Sequence, residues 1–191
     1  MKYLLFLFLS ILCASDDNAP ANRTKDRQVD IKHIKINVSV DLKAKSVFGH
    51  VTHTLSPLRS NLSSFILHGD DMKIRRIRMG EKDLKYTHSG NEIHIDLPNP
   101  IGWDETVDVR IDYIANPREG TYFFGPDDTY PNQPWQAWTQ GETEDNHHWV
   151  PLYDYPNERA TFETILTVDQ RFQAVSNGEL LSVEKNKDGT H

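Results

Sequence analysis

The sequence predicts an all-β fold, with mostly antiparallel strands in a sandwich or an open curved sheet. Three observations carry that expectation. Apolar and polar residues alternate with period two in several separate runs, as in strands with one buried and one wet face. Turn residues stand between the runs: Gly, Asn, Asp and Pro. No window of about twelve residues carries a convincing 3.6-residue period, so amphipathic helices are not expected.

In chain order, the start falls outside the fold. Met1-Lys2 is positive, Tyr3 to Leu12 is a short apolar run, and Cys13-Ala14-Ser15 closes it with small residues before Asp16-Asp17. That is the layout of a secretory signal peptide over residues 1–15, and it is too short to span a membrane. The rival reading, a buried N-terminal strand or helix, leaves such a run without a partner. Cys13 is the sole cysteine. It falls inside the signal, so the mature domain has no internal disulfide. Lipid attachment at Cys13 ranks second, because Leu12 is large for such a site. Residues 16–27 are polar, contain Pro20, and read as a flexible leader. Asn22, Asn37 and Asn61 fit a glycosylation pattern, which matters only in a eukaryotic secretory pathway.

The domain proper is expected over 28–191. Ile34, Ile36, Val38 and Val40 alternate with Lys35, Asn37, Ser39 and Asp41. A second strand is expected around Phe48 to Leu55, with Val51, His53 and Leu55 on one side. Phe65 to Leu67 is a short apolar run. Met72 to Met79 is a charged strand, expected near a sheet edge. Ser89-Gly90-Asn91 is a turn, and Ile93, Ile95 and Leu97 resume the alternation. Val107, Val109, Ile111 and Tyr113 form a further strand. Later, Phe162, Thr164, Leu166 and Val168 alternate again. Ser176-Asn177-Gly178-Glu179 reads as a hairpin turn with a return strand over Leu180 to Val183. Asp188-Gly189 signals another turn two residues before the sequence stops, which suggests a fragment of a longer protein.

Between these runs lies a stretch without strand or helix period, Trp138 to Phe162, broken by Pro151 and Pro156. It is a loop with concentrated polar and aromatic chemistry. Net charge is −7 with both signs interspersed and no basic stripe, so nucleic acid is not an expected partner.

The ordered blocks Thr139-Gln140-Gly141-Glu142, Trp149-Val150-Pro151, Tyr153-Asp154-Tyr155-Pro156, Ala160-Thr161-Phe162-Glu163 and Val175-Ser176-Asn177-Gly178-Glu179-Leu180 carry a resemblance. So does the opening Asp30-Ile31-Lys32-His33-Ile34. Together they resemble the N-terminal domain of the zinc aminopeptidases related to aminopeptidase N, over roughly residues 28–191. The resemblance implies a saddle-shaped, mostly antiparallel β-domain packed on a thermolysin-like catalytic domain that follows it. It implies a zinc metallopeptidase that removes N-terminal residues from peptides, and the signal peptide makes it secreted or periplasmic. The family's zinc motif, His-Glu-x-x-His on a helix, is not in this sequence, nor is its Gly-x-Met-Glu-Asn motif. The chain by itself is therefore expected to bind no catalytic zinc and to be inactive. By match to the family's T-Q-x-E block, Glu142 binds the substrate's free α-amino group and Gln140 lines the pocket for its first side chain. The family often carries Cys where Leu152 stands and Arg near His147-His148.

Plainer readings stand beside these. A loop Glu is usually solvated and a loop Gln often only satisfies backbone groups. Glu144 and Asp145 are expected to be solvated or to pair with Arg159. His147 and His148, in extended chain, would point to opposite faces and not share a metal site. Trp135, Trp138 and Trp149 could form a sugar platform, but aromatics in a long loop more often pin it to the sheet. Tyr153, Tyr155 and Pro156 read as packing residues. Two other function classes stay open: a stand-alone secreted β-sandwich binding peptide or carbohydrate, and a non-catalytic scaffold related to the aminopeptidases.

Overall fold

The computed structural model describes residues 26–191. The expected signal peptide 1–15, Cys13, Asn22 and most of the leader lie outside the described residues. The described strands are β1 (Val29–Asp41), β2 (Ser46–Pro57), β3 (Leu62–His68), β4 (Met72–Met79), β5 (Lys82–Asp83), β6 (Lys85–Ser89), β7 (Glu92–Ile101), β8 (Val107–Ala115), β9 (Thr121–Phe124), β10 (Gln136–Thr139) and β11 (Thr161–Thr167). One 3-10 turn, η1 (Asn146–His148), interrupts the connection from β10 to β11. No helix among the described residues is long and apolar enough to cross a membrane.

The strands form a six-stranded sheet ordered β11-β1-β2-β8-β4-β5, a three-stranded sheet β3-β7-β6 and a two-stranded ribbon β10-β9. The class is all-β and mostly antiparallel, as the period-two runs predict. The charged strand β4 sits one place from the sheet edge, covered only by the two-residue β5. β11 is the exception to antiparallel pairing. It lies parallel to β1, with Ile34 opposite Phe162 and Val38 opposite Leu166. A parallel neighbour needs a long crossover, and here nearly the whole domain lies between the two strands.

One core joins the inner faces of the two larger sheets. Val51, Leu55, Phe65, Leu67, Ile93, Ile95, Val109 and Ile111 are fully buried in it. Burying each such side chain contributes about 1.5–3 kcal/mol before chain entropy is counted. β1 reaches that core in two phases. Val29 and Ile31 are buried, then the register shifts against β2 between Ile31 and His33, and Ile36 and Val38 continue the buried face. An extra residue re-phases the alternation, so the odd and even apolar sets of β1 both point inward.

His53 on β2 faces the core with Val51 and Leu55, as its phase predicts, and is completely buried. Its Nε2 lies 2.9 Å from the Pro151 carbonyl. Burial pulls its pKa from 6.5 down to about 4, more than the bond to Pro151 raises it. The ring is therefore neutral in the fold and donates Nε2–H to Pro151. Between pH 6.5 and about 4 the unfolded chain carries the extra proton, so acid lowers stability across that window. The full effect is on the order of 3 kcal/mol. His53→Gln keeps an N–H donor and does not titrate. Its urea midpoint should fall less than the native chain's between pH 6.5 and 4. Parallel pH curves for the two proteins would remove His53 from the acid response.

The C-terminal segment departs from the sequence expectation. No return strand forms over Leu180 to Val183, and Ser176 to Glu179 does not close a hairpin. Instead, Val168 and His191 exchange backbone hydrogen bonds at 3.0 and 2.9 Å, so the segment loops out and closes at its base. The Asp188-Gly189 turn is real: the Asp188 carboxylate accepts from the Thr190 N–H and hydroxyl. The hairpin fails because its apolar side chains have no sheet face to cover. Val175, Leu180 and Leu181 are 83%, 77% and 82% exposed.

Candidate functional site

The central loop leaves the β9–β10 ribbon at Gln140. Its N–H donates to the Gly120 carbonyl at 3.0 Å, extending the ribbon by one rung. Trp138 lies against Tyr122, with ring centroids 4.8 Å apart, and stacks on Phe124 at 6.1 Å. The Trp135 ring covers Gly125, and Trp149 packs against the main core. These contacts fit the pinning role for the three tryptophans.

Two glycines mark where a neighbouring group presses directly on the backbone. A Cβ on Gly120 would stand 1.9 Å from the Asp145 carbonyl oxygen, and its φ of +71° favours glycine as well. A Cβ on Gly141 would stand 2.1 Å from the Asn146 side chain. Gly120→Ala should therefore displace the 141–146 turn and destabilise the chain by more than about 1 kcal/mol. A urea midpoint equal to that of the native chain would refute this close packing.

Beyond Gly141 the chain turns, with the Asp145 N–H donating to the Gly141 carbonyl at 3.1 Å, and enters η1. Asp154 holds this turn from below. Its buried carboxylate accepts from the His147 N–H at 2.9 Å and from His147 Nδ1 at 2.9 Å. It also accepts from Asn146 Nδ2 at 3.4 Å, which in turn reaches the Gly141 carbonyl. The hydrogen bond to Asp154 raises the His147 pKa, against the effect of burial.

The loop is bolted to the corner between β3 and β4. His68 and Leu152 exchange backbone bonds at 2.7 and 3.0 Å. The Asp70 N–H donates to the His147 carbonyl at 2.9 Å, and the Asp154 N–H donates to His68 Nδ1 at 3.2 Å. His148 Nδ1 lies 2.9 Å from Asp71 Oδ2. Burial pushes the Asp71 carboxyl up, but hydrogen bonds from the Arg118 backbone and side chain and from His148 outweigh it. Its pKa therefore ends below the ordinary carboxylate value.

Gln140 and Glu142 are both exposed, on either side of the fixed Gly141. One expectation is corrected. His147 and His148 do not point apart: η1 sets their rings side by side, with centroids 4.6 Å apart. Adjacent residues oppose one another in a strand but not in a 3-10 turn. Of the two expectations for Glu144 and Asp145, the solvated one fits: Glu144 is exposed, and neither forms an ion pair with Arg159 among the described residues. Sequence reasoning missed His68, Asp71 and the holding role of Asp154. His68 falls out of the buried Phe65–Leu67 phase of β3, so the alternation did not signal it.

The Peptidase M1 N-terminal domain model matches residues 30–191. The chain belongs to the M1 metallopeptidase family, as its N-terminal domain. Leukotriene A-4 hydrolase of Xenopus laevis is 22% identical over 163 residues, covering 82% of this chain and 27% of that protein. An M1 zinc metallopeptidase of Deinococcus radiodurans superposes with a TM-score of 0.72 at 21% identity, over 86% of this chain and 38% of that one. Native yeast LTA4 hydrolase superposes with a TM-score of 0.70 at 14% identity, over 97% of this chain and 30% of that one. The chain thus spans only about a quarter to two-fifths of these relatives. M1 family members are zinc metallopeptidases, and peptidase chemistry holds at the level of the family.

Proposed function

We propose that this domain anchors the free N-terminus of a peptide substrate in a secreted or periplasmic zinc aminopeptidase. The supporting observation is the exposed Gln140–Glu142 pair on a rigidly held loop, in an M1 N-terminal domain. Glu142 pairs with the substrate's α-ammonium and Gln140 lines the pocket for the first side chain. The chemistry suits an exopeptidase. A carboxylate in a closed cleft binds a terminal ammonium, whereas an internal amide would leave that carboxylate unpaired, at a cost of several kcal/mol. Glu142 then sets register and moves no proton.

Zinc would be held by a thermolysin-like domain outside this sequence, because no His-Glu-x-x-His occurs in it. When bound there it lowers the pKa of a water and polarises the scissile carbonyl. Phe162, Ile165, Val175, Leu180 and Leu181 are exposed apolar side chains, which a further domain could cover. The apolar run before Cys13 supports export with cleavage after Ser15. Lipid attachment at Cys13 would instead add a diacylglycerol mass to the mature product.

The test compares two proteins on aminoacyl-nitroanilides. Full-length enzyme from the source cells is expected to hydrolyse them and the pure 191-residue chain is not. Hydrolysis by the 191-residue chain would refute the division of labour. A native mature product near 20 kDa, with saturable peptide or sugar binding and no hydrolysis, would favour the stand-alone binding module.

A further inference from the structure

His148 is 7% exposed and held by its neighbours. Asp71 Oδ2 accepts from Nδ1 at 2.9 Å, and Arg118 in turn bonds Asp71 through its backbone N–H and its guanidinium. In the neutral ring this places the proton on Nδ1 and the lone pair on Nε2. That lone pair faces Glu119 Oε2 at 3.6 Å. Two acceptors then confront each other, too far apart for a hydrogen bond. A second ring proton or a bound cation would relieve that confrontation. Asp145 completes the cluster: ligand atoms of Glu119, Asp145 and His148 all lie within 4.8 Å of one another.

We propose that Glu119, Asp145 and His148 hold a divalent cation of the zinc–manganese class at the start of β9. A carboxylate on Nδ1 with metal on Nε2 is the usual way a protein fixes a ligating imidazole, and Asp71 fills that orienting place. One imidazole nitrogen with two carboxylates suits zinc or manganese better than calcium, which takes oxygen ligands throughout. The surrounding field is negative: Asp70, Asp71 and Asp154 lie nearby, against the Arg118 guanidinium already paired with Asp71. A second grouping, Asp70 with His147 and His148, also has ligand spacing. It is the weaker candidate, because it offers one carboxylate where the first grouping offers two, and Asp70 Oδ1 already accepts from the Asp71 N–H.

The placement has a structural consequence. Glu119 precedes Gly120, whose carbonyl accepts from Gln140, and Asp145 packs its backbone on Gly120. A cation there ties the root of the β9–β10 ribbon to both ends of the 140–145 segment.

The chelator-treated 191-residue chain, titrated with zinc and then with manganese, tests this by calorimetry and thermal melting. The expected result is uptake of about one equivalent with a raised Tm. Glu119→Gln and Asp145→Asn should each weaken that uptake at least about tenfold, with the metal-free Tm unchanged. Absence of saturable uptake, or equal uptake by both variants, would overturn the site and leave Nε2 protonated in an ion pair with Glu119.

Discussion

Glu142→Ala in the full-length enzyme is expected to lower kcat/KM by about a hundredfold with zinc content unchanged, the loss of roughly 3 kcal/mol of charge pairing in a closed cleft. The carboxylate carries no structural duty that would confuse the result. Glu142 is exposed, and the turn around it is held by the Gly141 carbonyl, Asn146 and Asp154. Glu142→Gln preserves shape and hydrogen bonding but removes the charge, so it should lose nearly as much. Substrates with a blocked N-terminus sharpen the reading. They have no ammonium to pair, so the variant and the native enzyme should turn them over equally slowly. A rate within about twofold of native for Glu142→Ala on free peptides would take this residue out of the site.

Asp154→Ala should act through stability first. Its carboxylate takes hydrogen bonds from the His147 N–H, from the His147 ring and from Asn146 in a buried setting. Truncation leaves these donors unpaired away from water, which costs on the order of 3 kcal/mol. The urea midpoint of the isolated chain measures it. The effect has a second, local signature. Without Asp154, Asn146 loses its anchor and the 141–146 turn should open to protease, while the β-sheet core keeps its protection. In the full-length enzyme kcat/KM should fall as well, because an anchor misplaced by about 1 Å forfeits orientation. A variant with native stability and an uncut loop would mean that the β3–β4 corner alone holds the turn.

Much of the scaffold was legible before the structure. The inward phases of β2, β7 and β8 follow from one residue in two being apolar, because a sheet with one wet face leaves no other arrangement. The edge character of β4 follows from its charges. That no return strand forms at Leu180 was not legible, because a turn signal fixes local chain direction but does not supply a sheet to pair with. The pairing of β11 with β1 was equally hidden. Strand alternation does not specify a partner, and this partner lies more than a hundred residues away.

The site divides in the same way. The sequence by itself determined the all-β class and the placing of Gln140 and Glu142 in a loop, since period and prolines are local properties, and its ordered blocks carried the resemblance to the family. Only the tertiary structure decided what holds that loop. His53, His68 and Asp71 come from β2, the end of β3 and the corner after it, and meet Pro151, Asp154 and His148 through bonds that span roughly 80 to 100 residues. Such contacts leave no periodic trace. They arise because a buried polar group must find a partner, and the fold alone determines which one lies within reach.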